Sequence, residues 1–207
     1  MLRLLRFARN DVVKNINISM NKIAAIFLLS FLPLCTFANP NGAPTKIMGS
    51  GRLTSEQLHT FFVRAAVDSD ATRVARLAAI YVDEAQVEGV NHDVAFAQMI
   101  LETGWLRYRG VVRPEMNNFC GLGAVSATKN GHKFPDERIG VRAHIQHLKA
   151  YASKAPLTGQ LADPRYHHVS PRGKCPTVDG LAGTWATDPM YAVKIKSLLQ
   201  RMYAAAQ

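Results

Sequence analysis

Glu102 closes the run "AFAQMILETGW", and its position is where chemistry is first expected. Helical spacing places it on one face with Gln98 and Met99 and turns Ile100 and Leu101 toward a core. The neighbourhood is half apolar, and the end of a helix is its electronegative end, so both influences favour the protonated acid and raise its pKa. A carboxyl that keeps its proton near neutral pH is what general acid catalysis needs. The plain alternative is a surface Glu paired with Arg107 or Arg109, worth little. Trp105, after Gly104, suits either close packing or a flat ring laid against a pyranose face.

Other chemistries find less support. His144 and His147 straddle one turn of a helix in "RAHIQHLKAY", and His167 and His168 fall in a loop. Zinc-type spacing is absent and no nearby acid completes a ligand set, so no metal and no cofactor is expected. There is no G-x-S-x-G element for a serine hydrolase. Cys120 and Cys175 would be the thiols of an exported chain, and two thiols in an oxidising compartment most often pair. A disulfide between them, worth on the order of 2–4 kcal/mol, is the expectation.

The elements that must position Glu102 read as helices. Thr54-Ser55-Glu56-Gln57 is a capping box ahead of Leu58, Phe61, Phe62 and Ala65. Ser69 or Asp70 caps the next helix, whose stripe of Val74, Leu77, Ala78, Tyr81, Val82 and Ala85 stops at Gly89. Asn91-His92-Asp93 then turns the chain into a short helix from Val94 to about Thr103. Residues 110–139 hold Pro114, Pro135 and several glycines, which predicts a loop or short hairpin. Val141, Ile145, Leu148 and Tyr151 mark another helix, ended before Pro156. Thr177 is placed to cap "VDGLAGTWA", and Asp188 with Pro189 to open a last helix carrying Tyr191, Ile195, Leu198, Leu199 and Met202. The fold class expected is mostly α (α+β), a helical domain with a small irregular or β-hairpin insertion.

At 207 residues the chain has room for one such domain. Residues 1–38 read as a secretory signal peptide: from Met20, a Lys, an apolar run from Ile23 to Leu34, then Thr36-Phe37-Ala38. The apolar core is shorter than the roughly 20 residues a spanning helix needs. Residues 39–52 look like a flexible lead-in and 53–207 like the folded domain, a monomer in the cell envelope or outside it. Its charge is lopsided: residues 39–104 carry five Lys/Arg against eight Asp/Glu, whereas 105–207 carry fifteen against six. A basic half suits a polyanion, including an anionic cell-wall polymer, as well as simple solubility. Nucleic acid is not expected, because Phe and Tyr are not interleaved with Lys/Arg as stacking platforms.

"AFAQMILETGW", followed by "NNFCGLGA" and "TWATDPMYAVKI", resembles the glucosaminidase domain of glycoside hydrolase family 73 from about Leu53 to Met202. The resemblance implies a lysozyme-like helical fold and hydrolysis of β-1,4 bonds after N-acetylglucosamine, with peptidoglycan strands or N-acetylglucosamine-containing fragments as partners. It makes Glu102 the proton donor and lines a glycan groove with Trp105, Asn117, Asn118, Phe119 and Tyr191. The side-chain amides would both donate to and accept from sugar acetamido and hydroxyl groups. Asn117 equally suits a turn, and Tyr191 a core stripe. Many members carry an acid in the hairpin that follows; here "AVSATKNGHKFPDER" has none at its tip, and Asp136, then Glu137, are the nearest candidates for a second carboxylate. Attack by the substrate's own N-acetyl oxygen is the other route. A lytic transglycosylase and a non-catalytic wall-binding or scaffolding protein are the alternative functions.

Overall fold

The computed structural model describes residues 45–124 and 131–207; the expected signal peptide and the tip of the expected hairpin lie outside them. Within this range the architecture is helical: α1 Ser55–Ala65, α2 Ala71–Glu88, α3 His92–Thr103, α4 Glu137–Ala152 and α5 Tyr191–Ala205, with single turns of 3₁₀ helix at Pro114–Met116, Tyr166–His168 and Val178–Leu181. Strand pairing among the described residues is confined to isolated bridges such as Lys46–Thr177 and Met48–Val90. This is a mostly α, lysozyme-like domain.

Local chemistry sets most helix ends. The Thr54 hydroxyl accepts from the Gln57 amide while the Gln57 side chain accepts from Thr54 N–H, a complete capping box. Asp70 caps α2, and Gly89 closes it in the left-handed region at φ 67°. α3 begins two residues before the expected start, because Asn91 accepts from both Asp93 and Val94 N–H. Likewise α4 opens at Glu137, one residue after its cap. The segment after Thr177 makes only one 3₁₀ turn, without a side-chain cap, and α5 starts at Tyr191, Asp188 accepting from Met190 N–H just outside it.

α3 is the core of the domain, enclosed by α2 and α5. From Val94 to Ile100 its side chains are buried without a polar face. Each large apolar side chain so enclosed, such as Phe96, stabilises the fold by about 1.5–3 kcal/mol. Asp93, fully buried, ties two segments to α3: its carboxylate accepts from Arg52 N–H, Leu53 N–H and the Tyr203 hydroxyl on α5. The packed chain therefore starts earlier than expected. Ile47 is fully buried and bonded through its backbone to Pro176 and Asn91, so residues from 45 belong to the folded domain.

α2 and α4 are held by charge. Glu84 receives Arg138 and Arg142, Glu137 receives Arg73 and Arg76, and the buried Glu88 receives Lys149 at 2.7 Å. Glu88 also accepts from Thr158 and Gly159 N–H, and Gln146 accepts from Ala162 and Asp163 N–H. Together these clamp the loop after α4 onto the α2–α4 frame, and that loop delivers Arg165 to the cleft described next.

Candidate active site

The end of α3 aims Glu102. Gly104 caps the helix at φ 56°, and Trp105, Leu106 and Tyr108 follow at φ 63°, 59° and 46°. Non-glycine residues in this region cost on the order of 1–3 kcal/mol each and persist only when their surroundings hold them. Trp105 is the anchor: its ring packs 5.8 Å from Phe61 and 5.2 Å from Phe62, with the Arg201 guanidinium over its face. The Thr103 hydroxyl, donating to Met99 C=O and accepting from Leu106 N–H, fixes the reversal.

Beside this turn opens a cleft of about 440 Å³ lined by Glu102, Tyr108, His147, Tyr151, Arg165 and Trp185, with the backbone of residues 120–124 as one wall. Glu102 is the one carboxylate among the described residues that line it. Trp185 donates its indole N–H to Glu102 Oε1 at 3.0 Å, and the Tyr191 hydroxyl donates to the same oxygen. Neither of these bonds falls on Oε2. Gly121 lies beside it, where a Cβ would sit 3.8 Å from Oε2, at ordinary contact. Burial pushes the Glu102 pKa up, and the two donated bonds pull only partly against it.

Behind Tyr191 runs a buried chain with a defined direction. Tyr191 donates to Glu102, so its oxygen accepts from Gln98 Nε2 at 2.8 Å. Gln98 Oε1 then faces His144 Nε2 at 3.0 Å, which must carry hydrogen, and His144 Nδ1 accepts from the Tyr81 hydroxyl at 2.8 Å. Burial, with His147 nearby, pulls His144 down to about 3, so it stays neutral. Every donor in the chain points toward the acid.

The expected site residues divide. Glu102 and Tyr191 are brought together, Tyr191 as a buried hydrogen-bond donor instead of a groove wall. Trp105 wedges under the turn, on the α1 and α5 side, and does not line the cleft. Asn118 is buried and spent on its own loop, accepting from Leu122 N–H and donating to Leu122 and His132 C=O. Asn117 adopts a left-handed turn at φ 50° and donates to Phe134 C=O. Phe119 is fully buried against Tyr81. The second carboxylate is not in the cleft: Asp136 is exposed and caps α4 by accepting from Ile139 N–H, and Glu137 is engaged by two arginines. The expected disulfide is also corrected. Both cysteines are free and buried, Cys175 bonded to Gly180 C=O and Cys120 in a separate apolar cluster at the cleft. Burial pushes the Cys120 thiol well up, with the Glu102 and Asp163 carboxylates adding to it, so it is no nucleophile.

Sequence reasoning missed Trp185, Gln98, His147 and Tyr151. Gln98 and Trp185 stand inside the motifs "AQMILETGW" and "TWATDPMY", so the signal was present but attached to the other tryptophan.

One semi-buried acid, held by neutral donors on the wall of an open cleft in a lysozyme-like helical domain, defines a glycosidase-type site. The sequence model of the Glucosaminidase family, mannosyl-glycoprotein endo-beta-N-acetylglucosaminidase, matches residues 78–204, from within α2 to the end of α5. An uncharacterized protein of Borreliella burgdorferi is 40% identical over 153 residues, 74% of this chain and 74% of that one. The chain belongs to the glucosaminidase family, a family of glycoside hydrolases directed at peptidoglycan-type glycans.

Proposed function

We propose that this glucosaminidase is an exported hydrolase that cleaves the β-1,4 bond after N-acetylglucosamine in peptidoglycan, with Glu102 giving its proton to the leaving glycosidic oxygen. The observation that carries the reading is the setting of Glu102 on the cleft wall: burial raises its pKa, and both Tyr191 and Trp185 donate to Oε1 and not to Oε2. As the proton leaves, the same two donors stabilise the carboxylate that forms. Export rests on the signal-like residues 1–38, and the basic half suits a wall rich in anionic polymer.

The test is Glu102→Gln assayed on purified sacculi. Release of muropeptides should fall by roughly 10²–10⁴-fold, the usual worth of a general acid, while the wild type yields fragments ending in reducing N-acetylglucosamine. Full activity in the variant overturns the assignment. Anhydro-sugar ends would indicate a lytic transglycosylase, and intact binding without release a wall-binding protein.

A further inference from the structure

The cleft lacks a second carboxylate among its described lining residues, and residues 125–130, VSATKN, contain no Asp or Glu to supply one. Its wall does hold another polar pair. His147, on α4, lines the same cleft, and its ring Nδ1 lies 2.7 Å from the Asp163 carboxylate. Asp163 is 1% exposed and is held by Arg165 N–H and by the Gln146 clamp on its own backbone. A carboxylate on Nδ1 keeps hydrogen there and leaves the lone pair on Nε2, at the opposite edge of the ring. His144, three residues earlier on the same helix, is the contrast: both its nitrogens are spent inside the protein.

We propose that His147, oriented by Asp163, is the general base that activates water in this cleft. The inference rests on the reading of Glu102 as the acid. Trp185 links the two groups, with its N–H 3.0 Å from Glu102 and its ring centroid 5.1 Å from that of His147. That shared neighbour brings carboxyl and imidazole to the same part of the cleft wall, the placement an acid and a base flanking one glycosidic bond require. Water attacks the anomeric carbon on the face opposite the leaving group and gives a proton to Nε2. The bond from that carbon to the glycosidic oxygen breaks, its electron pair stays on the oxygen, and Oε2 of Glu102 supplies the proton. His147 then releases its proton to solvent and Glu102 regains one, so the sum is hydrolysis with inversion.

The experiment uses the full chain and defined peptidoglycan glycan strands. The new reducing end from the wild type, read by NMR before mutarotation, should be the α anomer. In His147→Asn the amide nitrogen takes the place of Nδ1 and keeps the bond to Asp163, while Nε2 is removed. Turnover should fall roughly 10²–10⁴-fold, and sodium azide should restore it and appear in the product as an α-glycosyl azide. Asp163→Asn, which changes charge and not size, should lower kcat and leave KM unchanged, and it serves if the first variant fails to fold. A β anomer from the wild type, wild-type turnover in either variant, or a loss that azide does not relieve overturns the proposal. If the wild type releases no N-acetylglucosamine ends at all, it is the reading of Glu102 that fails.

Discussion

Lys149→Met tests the frame beneath the cleft. Lys149 and Glu88 are each 3% exposed, with Nζ 2.7 Å from Oε2, and Glu88 accepts three more bonds, from Thr158 N–H, Gly159 N–H and Gln146 Nε2. Burial by itself would raise the Glu88 pKa. The ammonium and the backbone donors overcome it and hold the carboxyl below its usual range. Removing one member of a buried ion pair typically costs about 3–5 kcal/mol, because a charge is left behind. Here three donors remain and the pair sits just under the surface, so the low end, about 3 kcal/mol, is expected. In a domain of this size that lowers Tm by roughly 6–12 °C.

Urea unfolding followed by far-UV circular dichroism should show the lower midpoint with m unchanged. The pH dependence gives a second readout. With its folded pKa depressed, Glu88 contributes stability that is present above its unfolded pKa and lost as pH falls through the folded value. Without Lys149 that folded value rises, so the acid loss begins at higher pH, and the gap between variant and wild type closes once Glu88 is protonated in both. The double variant Glu88→Gln/Lys149→Met leaves no buried charge and should lie within about 1 kcal/mol of the wild type. A single-variant loss under about 1 kcal/mol, or a gap that ignores pH, would refute the reasoning.

Glu102→Gln should be as stable as the wild type in acid and more stable at neutral pH. The raised folded pKa means that Glu102's contribution is fully present below its unfolded pKa and lost as pH rises through the folded value, and Gln escapes that loss; equal stability of the two proteins at pH 7 would contradict it. Tyr191→Phe removes a bond that favours the carboxylate, so the alkaline limb of kcat/KM should move to higher pH. The same change strands Gln98 Nε2 and should destabilise the fold by about 1–3 kcal/mol; a limb that stays put or moves down refutes the assigned role. Titration of the denatured, unreduced domain should find both Cys120 and Cys175 as free thiols, and mass spectrometry that detects a linked pair of peptides would reverse the correction.

Helix ends were legible in the sequence because the groups that set them lie within a few residues of each other. Thr54, Asp70 and Gly89 act on backbone three or four positions away, and each does what its type predicts. The acid was legible for the same reason, since an apolar helix end is a local property. What sits around it was not. Trp185 and Tyr191 reach Glu102 across 83 and 89 residues, and nothing in their spacing distinguishes them from Trp105, which follows the acid directly and packs beneath it. Asn118 failed for another reason. An amide that suits a sugar suits a loop backbone equally, and four bonds to that loop took its capacity. Asp136 likewise had a helix to cap, a demand that begins one residue later in the chain.

The contrast among the carboxyls carries the functional argument further. Burial acts first on Glu84, Glu88, Glu137 and Glu102 in the direction of the neutral acid. Three of them end below the ordinary range because each faces an Arg or Lys within 2.8 Å. Among the described residues Glu102 has no cation bonded to it, only a phenol and an indole N–H, both on one oxygen. Neutral donors fix the position of a carboxyl without overcoming its desolvation, whereas a cation at the same distance would fix it and ionise it. A cation in place of the Trp185 N–H would therefore lower the pKa that burial raises. Among the described residues the ion pairs at Glu84, Glu88 and Glu137 have no counterpart at this acid.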